Sequence, residues 1–390
     1  MQRTVEKVFF ALIRSEIKGD ELCEEIKNLI SPEILPALFK LSKRHDLAHL
    51  IGDALDKNGL LEEDAEGKKR FLQERAMAVY RYEQQQYELE QICETLENAK
   101  MLFVPLKGSV LRSLYSEPWM RTSCDIDILV KKEELEKAAQ VLCEALGYVT
   151  SKQPSVNEWS LYAPSGVHVE LHYDLTEGDR YGKEVLANIW QYTHPIEDGR
   201  YQLVLTGAAF YFYHIAHMVK HFENGGCGIR PFLDLWIFNQ KIALDAKGKE
   251  ELLRLGGLFK FARASERLAA VWFGNEKKDD LSARMEEYIF SGGTYGVIEN
   301  RVSMQQVKKG GKFRYVLSRI FISNKELKIK YPILQKRPYL APFYHIRRWF
   351  KPIFREKTRE RSLKELSLTS SVEKDDQAAS RELLTKLGLK

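Results

Sequence analysis

The chain has 390 residues, of which 44% are hydrophobic and 29% charged, with a formal net charge of +5. This balance is typical of a globular protein with more than one domain, and so small a net charge does not by itself indicate nucleic-acid binding. No stretch reaches the ~18 apolar residues of a membrane span, and charges interrupt the N-terminal apolar stretch, unlike a signal peptide. Five scattered cysteines without a C-x-x-C pair favour a reduced, cytoplasmic location without disulfides or structural zinc.

The N-terminal part of the chain is predicted to be helical. Apolar residues recur at helical spacing in VEKVFFALI, ILPALFKLSKRH and RAMAVYRYEQQQYELEQICETLE, with breaks at Ser31-Pro32 and Asn58-Gly59. The period then changes, and MLFVPL (101–106) is typical of a short buried strand. SVLRSLY favours a short helix beginning at Ser109, SEPWMRTS a loop, and CDIDILV (124–130) a second strand.

An amphipathic helix and a hairpin follow. KEELEKAAQVLCEALGY is expected to end at Gly147, because glycine is favoured just past a helix C-terminus. EWSLYA and VHVELHYDL flank Pro164-Ser165-Gly166, which predicts an antiparallel hairpin, and helical spacing returns from about residue 204. We therefore predict an α+β protein in four parts: 1–98, a helical N-terminal region; 99–203, a small mixed-sheet core; 204–300, a helical C-terminal domain; and 301–390, a basic helical extension and tail.

Two aspartates stand one residue apart in the apolar run CDIDILV. Alternation along a strand puts Asp125 and Asp127 on one face, with Cβ atoms roughly 6–7 Å apart, and Cys124, Ile126 and Ile128 on the opposite, buried face. Two carboxylates held so close repel each other unless a cation lies between them. A hard divalent ion such as Mg²⁺ prefers oxygen ligands and satisfies this pair.

The hairpin strand VHVELHYDL supplies a third acid. Its odd positions are apolar, and its even positions form a polar face that carries Glu170 at mid-strand, together with His168, His172 and Asp174. Glu170 is therefore expected to lie beside the aspartate strand and complete a metal cluster. The alternative is that both aspartates lie on an exposed edge strand and Glu170 at the surface.

Gly108-Ser109 stands at a predicted strand-to-helix junction. Glycine allows close approach of the backbone to a phosphate, the helix N-terminus offers unpaired N–H groups, and Ser109 adds a hydroxyl. Lys107 and Arg121 add positive charge for a triphosphate.

This ordered set, LKGSVLRSLY…EPWMRTSCDIDILV followed by VELHYDL, resembles the DNA polymerase β-like nucleotidyltransferase superfamily. More narrowly, it resembles a broad bacterial group of uncharacterised nucleotidyltransferase-family proteins with a KG…R…D-x-D-x-L pattern, an E-x-H strand and a helical C-terminal half. The resemblance covers about residues 95–300. It implies a polymerase β-like core, phosphate contacts from Gly108 and Ser109, and metal ligation by Asp125, Asp127 and Glu170. Lys107 stands where many superfamily members have an apolar residue, and it matches the narrower group.

A histidine-rich helix follows the core. His214, His217 and His221 lie at i, i+3 and i+7 on one face, where they either bind zinc, pack between helices or face a substrate. A glycine-rich segment then leads to Arg230, either as a closing loop or as a tight turn. Lys220 and Arg230 are candidates for further triphosphate contacts.

The expected activity is metal-dependent transfer of a nucleoside monophosphate from a triphosphate, with ATP expected, to a hydroxyl group. Mg²⁺ or Mn²⁺ would be bound by Asp125, Asp127 and Glu170, and Glu170 or Asp127 would accept the hydroxyl proton. Small molecules, sugars, peptides, proteins and tRNA all remain open as the acceptor, with tRNA less favoured because the basic region is confined to one segment. The alternative is a non-catalytic nucleotide-binding or regulatory module with the same core.

The last predicted feature is a basic segment. Residues 328–364 contain twelve Lys or Arg and two Glu, interleaved with aromatic residues. This composition fits a solvated basic helix and tail, or a weak contact with RNA, a phosphorylated substrate or an anionic membrane surface.

Overall fold

The N-terminal third of the protein is helical. The computed structural model describes residues 2–61, 65–151, 158–176, 181–274, 276–293, 296, 298–322, 324, 327–328, 331, 333–350 and 374–389. Its first five helices are α1 (Gln2–Lys18), α2 (Glu24–Lys27), α3 (Leu35–Arg44), α4 (Ala48–Lys57) and α5 (Ala65–Asn98). The predicted helical character of this region is confirmed.

A mixed five-stranded sheet follows, in the spatial order β1-β2-β5-β4-β3. Its strands are β1 (Phe103–Pro105), β2 (Asp125–Val130), β3 (Val149–Thr150), β4 (Glu158–Tyr162) and β5 (His168–His172). Only β2 and β5 pair in parallel, while β1–β2, β3–β4 and β4–β5 are antiparallel. The predicted hairpin is therefore β4–β5, and the aspartate strand is an interior strand, so the edge-strand alternative is wrong.

Two short helical segments separate β1 from β2. Helix α6 (Gly108–Leu111) begins one residue earlier than predicted and passes into a 3₁₀ turn at Arg112–Leu114. The SEPWMRTS segment, predicted to be a loop, contains a second 3₁₀ turn at Pro118–Met120. Helix α7 (Leu135–Leu146) follows a 3₁₀ turn at Lys132–Glu134, and it ends as predicted at Gly147, whose φ of 70° is left-handed.

The sheet has its own apolar core. Ile126 and Ile128 of β2 are fully buried, and they pack with Leu142 of α7 and Leu96 of α5 in one cluster. Cys124 does not share this face, because it precedes β2 and is exposed. Side chains alternate between faces only inside the strand, and here the strand begins at Asp125.

Further helices complete the chain after a two-stranded sheet. That sheet pairs β6 (Thr193–Pro195) with β7 (Leu203–Leu205), preceded by α8 (Lys183–Leu186) and a 3₁₀ turn at Ile189–Tyr192. The helices that follow are α9 (Gly207–Glu223), α10 (Arg230–Lys241), α11 (Ala246–Leu255), α12 (Phe259–Phe273), α13 (Asp280–Gly292), α14 (Ile298–Lys309), α15 (Lys312–Ile320), α16 (Ile333–Lys336), α17 (Ala341–Phe350) and α18 (Lys374–Lys386), with a 3₁₀ turn at Pro338–Leu340.

Helices from both ends of the chain share one apolar core. Phe10 of α1 stacks on Trp272 of α12 with ring centroids 5.2 Å apart, and Leu384 of α18 is fully buried in the same cluster. The four-part division of the sequence stays a prediction. No helix within the described ranges is both long enough and apolar enough to cross a membrane.

Part of the predicted basic segment 328–364 lies outside the described residues. Lys330 and all of 351–364 belong to that part. The remainder includes α16 and α17.

Candidate active site

Three carboxylates meet where β2 and β5 run side by side. In the parallel register Asp125 lies beside His168, and Asp127 beside Glu170. Residues paired in this way point to the same face of a sheet, so the polar face of β5 adjoins the two aspartates. The structure thus confirms that Glu170 lies beside the aspartate strand. Among the described residues no group of possible metal ligands contains all three acids, and the predicted ligation of one ion by Asp125, Asp127 and Glu170 stays a prediction.

Two histidines of the same strand join these acids. Asp125, His168 and Glu170 form one group of possible metal ligands, and Asp127, Glu170 and His172 form a second. Within each group the ligand atoms lie within 4.8 Å of one another, and Glu170 belongs to both. The sequence analysis put the histidines on the polar face but did not count them as ligands. The signal was the alternation itself, which gives His168 and His172 the same direction as Glu170.

Asp127 is the most buried of the three acids, and two cationic groups of the chain neutralise it. Lys107 Nζ lies 2.9 Å from Asp127 Oδ1, and His172 Nε2 lies 2.6 Å from the same oxygen. Burial opposes ionisation, yet Lys107 and His172 together hold the pKa of Asp127 well below its usual range. Burial would likewise lower the pKa of His172, but its contacts with Asp127 and Glu170 raise this pKa to about 9.

Asp125 has the opposite balance. Burial, followed by the charge of Asp127, raises the pKa of Asp125 to about 6. The hydrogen bond from His172 lowers the pKa of Glu170. The cluster therefore contains more buried negative charge than its own cations neutralise.

The donor set fits a divalent cation. Carboxylate oxygens suit Mg²⁺ and Mn²⁺, and imidazole nitrogens suit the transition metals. His168 Nε2 is buried and has no hydrogen-bond partner among the residues the structure describes. A buried polar atom without a partner is unfavourable. The other ring nitrogen, Nδ1, lies 3.8 Å from Glu170 Oε1, so His168 can offer a ligand atom beside Asp125 and Glu170.

The turn from β1 into α6 carries backbone strain at Lys107. This residue has φ 44° and ψ −115°, a backbone conformation that residues other than glycine rarely adopt. Ser109 N–H donates to the Leu106 carbonyl, 3.2 Å away, so Lys107 occupies the position of a tight turn where glycine is usual. The strain accompanies a backbone path that ends with Lys107 Nζ on Asp127.

Gly108 is needed at this turn for a different reason. A Cβ placed there would lie 3.0 Å from Ser123 Cβ, which is tighter than ordinary packing allows. The expected unpaired N–H groups are not found at Ser109 and Val110, because these N–H groups donate to the carbonyls of Leu106 and Lys107. The hydroxyl of Ser109 is buried without a hydrogen-bond partner in the described part of the chain.

A buried arginine that the sequence analysis missed holds the turn against the start of β2. Arg112 donates to the Gly108 carbonyl at 3.0 Å, to Gln85 Oε1 at 2.9 Å and to Ser123 Oγ at 2.8 Å. All three acceptors are neutral, and burial lowers the pKa of Arg112 to about 10. Gln85 of α5 also donates to the Ser123 carbonyl at 3.0 Å. No sequence motif marks Arg112 beyond its position four residues after Gly108.

Three of the four other residues predicted to contact a triphosphate lie around a neighbouring cavity of about 90 Å³. Lys107, Arg121 and Arg230 line it. Arg121 donates to both oxygens of buried Asp234, at 2.8 and 3.0 Å, while Arg230 pairs with Asp46. Both guanidinium groups therefore already have carboxylate partners. Lys220 is exposed and does not line this cavity.

The three histidines of α9 also line this cavity, but they differ in role. His214 Nε2 lies 2.9 Å from the Pro231 carbonyl, and burial lowers the pKa of His214, which fits helix packing. His217 and His221 face each other with their Nε2 atoms 3.0 Å apart. Among the described residues, neither belongs to a group of three possible metal ligands. The expected zinc alternative therefore gains no support.

The fold and the cluster define a class of protein. A mixed sheet that aligns a D-x-D strand with a strand bearing a third acid, behind a Gly-Ser turn, is consistent with a nucleotidyltransferase core. A family model described as "Uncharacterised nucleotidyltransferase" matches residues 33–274. The chain therefore belongs to this family, as the motif resemblance indicated. No curated protein and no solved structure matches it.

Proposed function

We propose that this protein transfers a nucleoside monophosphate from a nucleoside triphosphate, with ATP as the expected donor, to a hydroxyl group of an acceptor. The observation that carries the proposal is the register of β2 and β5, which sets Asp127 beside Glu170 and leaves Asp125 with a raised pKa next to them. Membership of a nucleotidyltransferase family supports the same reaction class.

In this proposal Asp125, Asp127 and Glu170 hold Mg²⁺ or Mn²⁺, with His168 and His172 at the edges of the cluster. When bound, the metal supplies positive charge to the phosphates and to the developing negative charge of the reaction. Such a site needs its own acids to be ionised, and the ion pairs of Asp127 favour that state.

Lys107 has two possible partners in this proposal, the carboxylate of Asp127 and a phosphate group of the substrate. Its ammonium group lies 2.9 Å from Asp127 Oδ1 and neutralises this carboxylate. If Asp127 held a metal, the Lys107 ammonium group would be able to contact a phosphate group near the adjoining cavity that it lines. Gly108 and Ser109 contribute the close backbone approach and the hydroxyl.

The chemical step balances without any further reactant. The acceptor oxygen attacks the α-phosphorus, the bond from this phosphorus to the bridging oxygen breaks, and pyrophosphate leaves with the electron pair. The proton of the hydroxyl passes to a carboxylate of the cluster. The acceptor can be a small molecule, a peptide or a protein.

The test is calorimetric binding of each common nucleoside triphosphate with Mg²⁺ or Mn²⁺. We expect binding to wild-type protein, loss of at least about tenfold in affinity in Asp125→Asn, and no change in Asp174→Asn. Asp174 is a matched control because it lies just after β5 but accepts hydrogen bonds from Thr176, outside both ligand groups.

Absence of triphosphate binding, or equal binding by wild-type protein and Asp125→Asn, would contradict the proposal. Tight binding that depends on Asp125, without pyrophosphate release across a panel of hydroxyl acceptors, would favour the binding or regulatory module instead.

A further inference from the structure

Helices α15 and α17 direct apolar side chains into solvent. On α15, Phe313, Leu317 and Ile320 follow helical spacing, and Phe313 is 74% exposed. Tyr315 of the same helix is buried, so the inward face is already packed while the outward face is apolar as well. On α17, Phe343, Ile346 and Trp349 repeat every third residue and are also exposed, Phe343 by 59%.

These two helix faces form one surface. Trp349 Nε1 donates to the Ile320 carbonyl at 2.8 Å. Phe321, directly after α15, packs edge-on against Trp349 with ring centroids 5.4 Å apart. We call the exposed side chains of Phe313, Leu317, Ile320, Phe343, Ile346 and Trp349 the apolar face.

The segment that carries the apolar face is strongly basic. Residues 301–350 contain thirteen Lys or Arg and a single acidic residue, Glu326. Lys312 and Arg314 on α15 and Arg347 on α17 are exposed beside the apolar side chains. Six more Lys or Arg against two Glu follow in the sequence of 351–364.

Charge and chemistry together select the occupant of this surface. A second copy of the chain would bring the same positive charges together, so self-association through this face is unfavourable. RNA would meet the cations and stack on aromatic rings, but the aliphatic side chains of Leu317, Ile320 and Ile346 offer nothing to a base. A lipid bilayer with anionic headgroups accepts the cations, the aromatic rings and the aliphatic side chains alike.

We propose that the apolar face docks this protein on an anionic membrane surface, with α15 and α17 lying in the headgroup region rather than crossing the bilayer. The face lies beyond residue 274, where the family match ends, and it includes none of the residues of the carboxylate cluster. It is therefore independent of the proposed nucleotidyl transfer, and either proposal can fail without the other.

The experiment is co-sedimentation of the full chain with phosphatidylcholine vesicles that contain or lack phosphatidylglycerol. We expect binding to the anionic vesicles, weak binding to neutral ones, and a steep loss on raising the salt concentration. The double variant Phe313→Ser/Phe343→Ser should lower the apparent affinity at least about tenfold, because burial of each ring in the interface is lost. Tyr80→Ser/Tyr87→Ser is the matched control, since these exposed tyrosines lie on α5, and its binding should equal wild type.

A second variant separates charge from apolar burial and from any folding defect. Lys312→Glu/Arg314→Glu should weaken binding to anionic vesicles and leave the weak binding to neutral vesicles unchanged. Failure of wild-type protein to sediment with anionic vesicles would overturn the proposal. Sedimentation equal to wild type in both the phenylalanine double variant and the Lys312→Glu/Arg314→Glu variant would overturn it as well. Binding of a single-stranded RNA oligonucleotide without vesicle binding would assign the basic surface to RNA instead.

Discussion

Two buried aspartates of this protein, Asp127 and Asp234, have cationic partners but differ in what surrounds them. Asp234 on α10 accepts both contacts from Arg121 and a hydrogen bond from Tyr115 Oη at 2.7 Å. Burial opposes its ionisation, but Arg121 and neighbouring groups lower the pKa of Asp234. The charge of Asp234 is fully paired, and its contacts with Arg121 and Tyr115 connect the segment before β2 to the C-terminal helices. We call these contacts the Asp234 clasp.

Asp127 is also ionised and paired, but two further acids accompany it. Asp125 retains a raised pKa, Glu170 shares the site, and Lys107 reaches it from a strained backbone. A structural ion pair has no reason to gather surplus like charge or to hold strain. Surplus charge, rather than burial or pairing, therefore distinguishes a candidate site from a structural ion pair.

Breaking the Asp234 clasp should have the largest effect on stability. We expect Asp234→Asn to lower the free energy of unfolding by roughly 3–5 kcal/mol, because Arg121 is left buried without its carboxylate partner. Urea denaturation measures this change. The control is Glu74→Gln, which breaks the exposed pair with Lys43 and should change stability by less than ~1 kcal/mol. If both variants changed the free energy of unfolding by similarly small amounts, the contacts of Asp234 would not be an important source of stability.

The surplus charge predicts the opposite sign for Asp125→Asn. A carboxyl whose folded pKa of about 6 exceeds its unfolded value stabilises the fold below the unfolded pKa, and this stability is lost as pH rises through 6. At about pH 8, the metal-free variant should therefore be more stable than wild type by ~1–3 kcal/mol. Added Mn²⁺ should stabilise wild type and leave the variant unchanged in thermal unfolding. A destabilised variant would show that Asp125 is a structural group.

His45 affects the same measurement, because its contribution to stability changes with pH in an overlapping range and in the opposite direction to that of Asp125. It is fully buried between Phe9 and Phe290, and burial lowers the pKa of His45 to about 3. Since the unfolded pKa is about 6.5, stability is lost as pH falls from 6.5 towards 3, by roughly 2 kcal/mol at pH 5. His45→Phe should remove this contribution to the acid-side loss of stability, so that the Asp125 effect becomes a larger part of the remaining pH dependence of the melting temperature. An unchanged acid limb would contradict the assignment.

The strain at Lys107 predicts the smallest difference. Lys107→Gly and Lys107→Met both lose the ion pair with Asp127, but only glycine relieves a backbone with φ 44°. We expect the glycine variant to be more stable than the methionine variant by ~1 kcal/mol, after the greater freedom of unfolded glycine is allowed for. Both should bind Mg²⁺-ATP more weakly than wild type. Equal unfolding midpoints of the glycine and methionine variants would show that the backbone at residue 107 loses its strain without a glycine.

Local pattern was enough for much of the site. Alternation of apolar residues placed Asp125, Asp127 and Glu170 on polar faces of strands, and the hairpin signal placed β4 beside β5. The same alternation predicted the direction of His168 and His172, although their part in the cluster was missed. Where a strand starts was less certain, and Cys124 fell on the wrong side of that boundary.

Contacts between distant segments were beyond local pattern. Arg121 and Arg230 were predicted from the sequence to contact a phosphate. Each is paired instead with a distant carboxylate: Asp234 lies 113 residues from Arg121, and Asp46 lies 184 residues from Arg230. Nothing in the neighbourhood of either arginine reveals such a partner. The same holds for Gln85, which anchors Ser123 from a helix 38 residues earlier.

The amino-acid sequence by itself determined the element types, the apolar faces and the spacing of the acids, because these follow from periods of two and 3.6 residues within one segment. Only the tertiary structure decided the parallel pairing of β2 with β5, the partner of each buried charge and the outward direction of the apolar face on α15 and α17. Those outcomes depend on packing between segments far apart in the chain, where burial and charge compensation, rather than local preference, set the free energy.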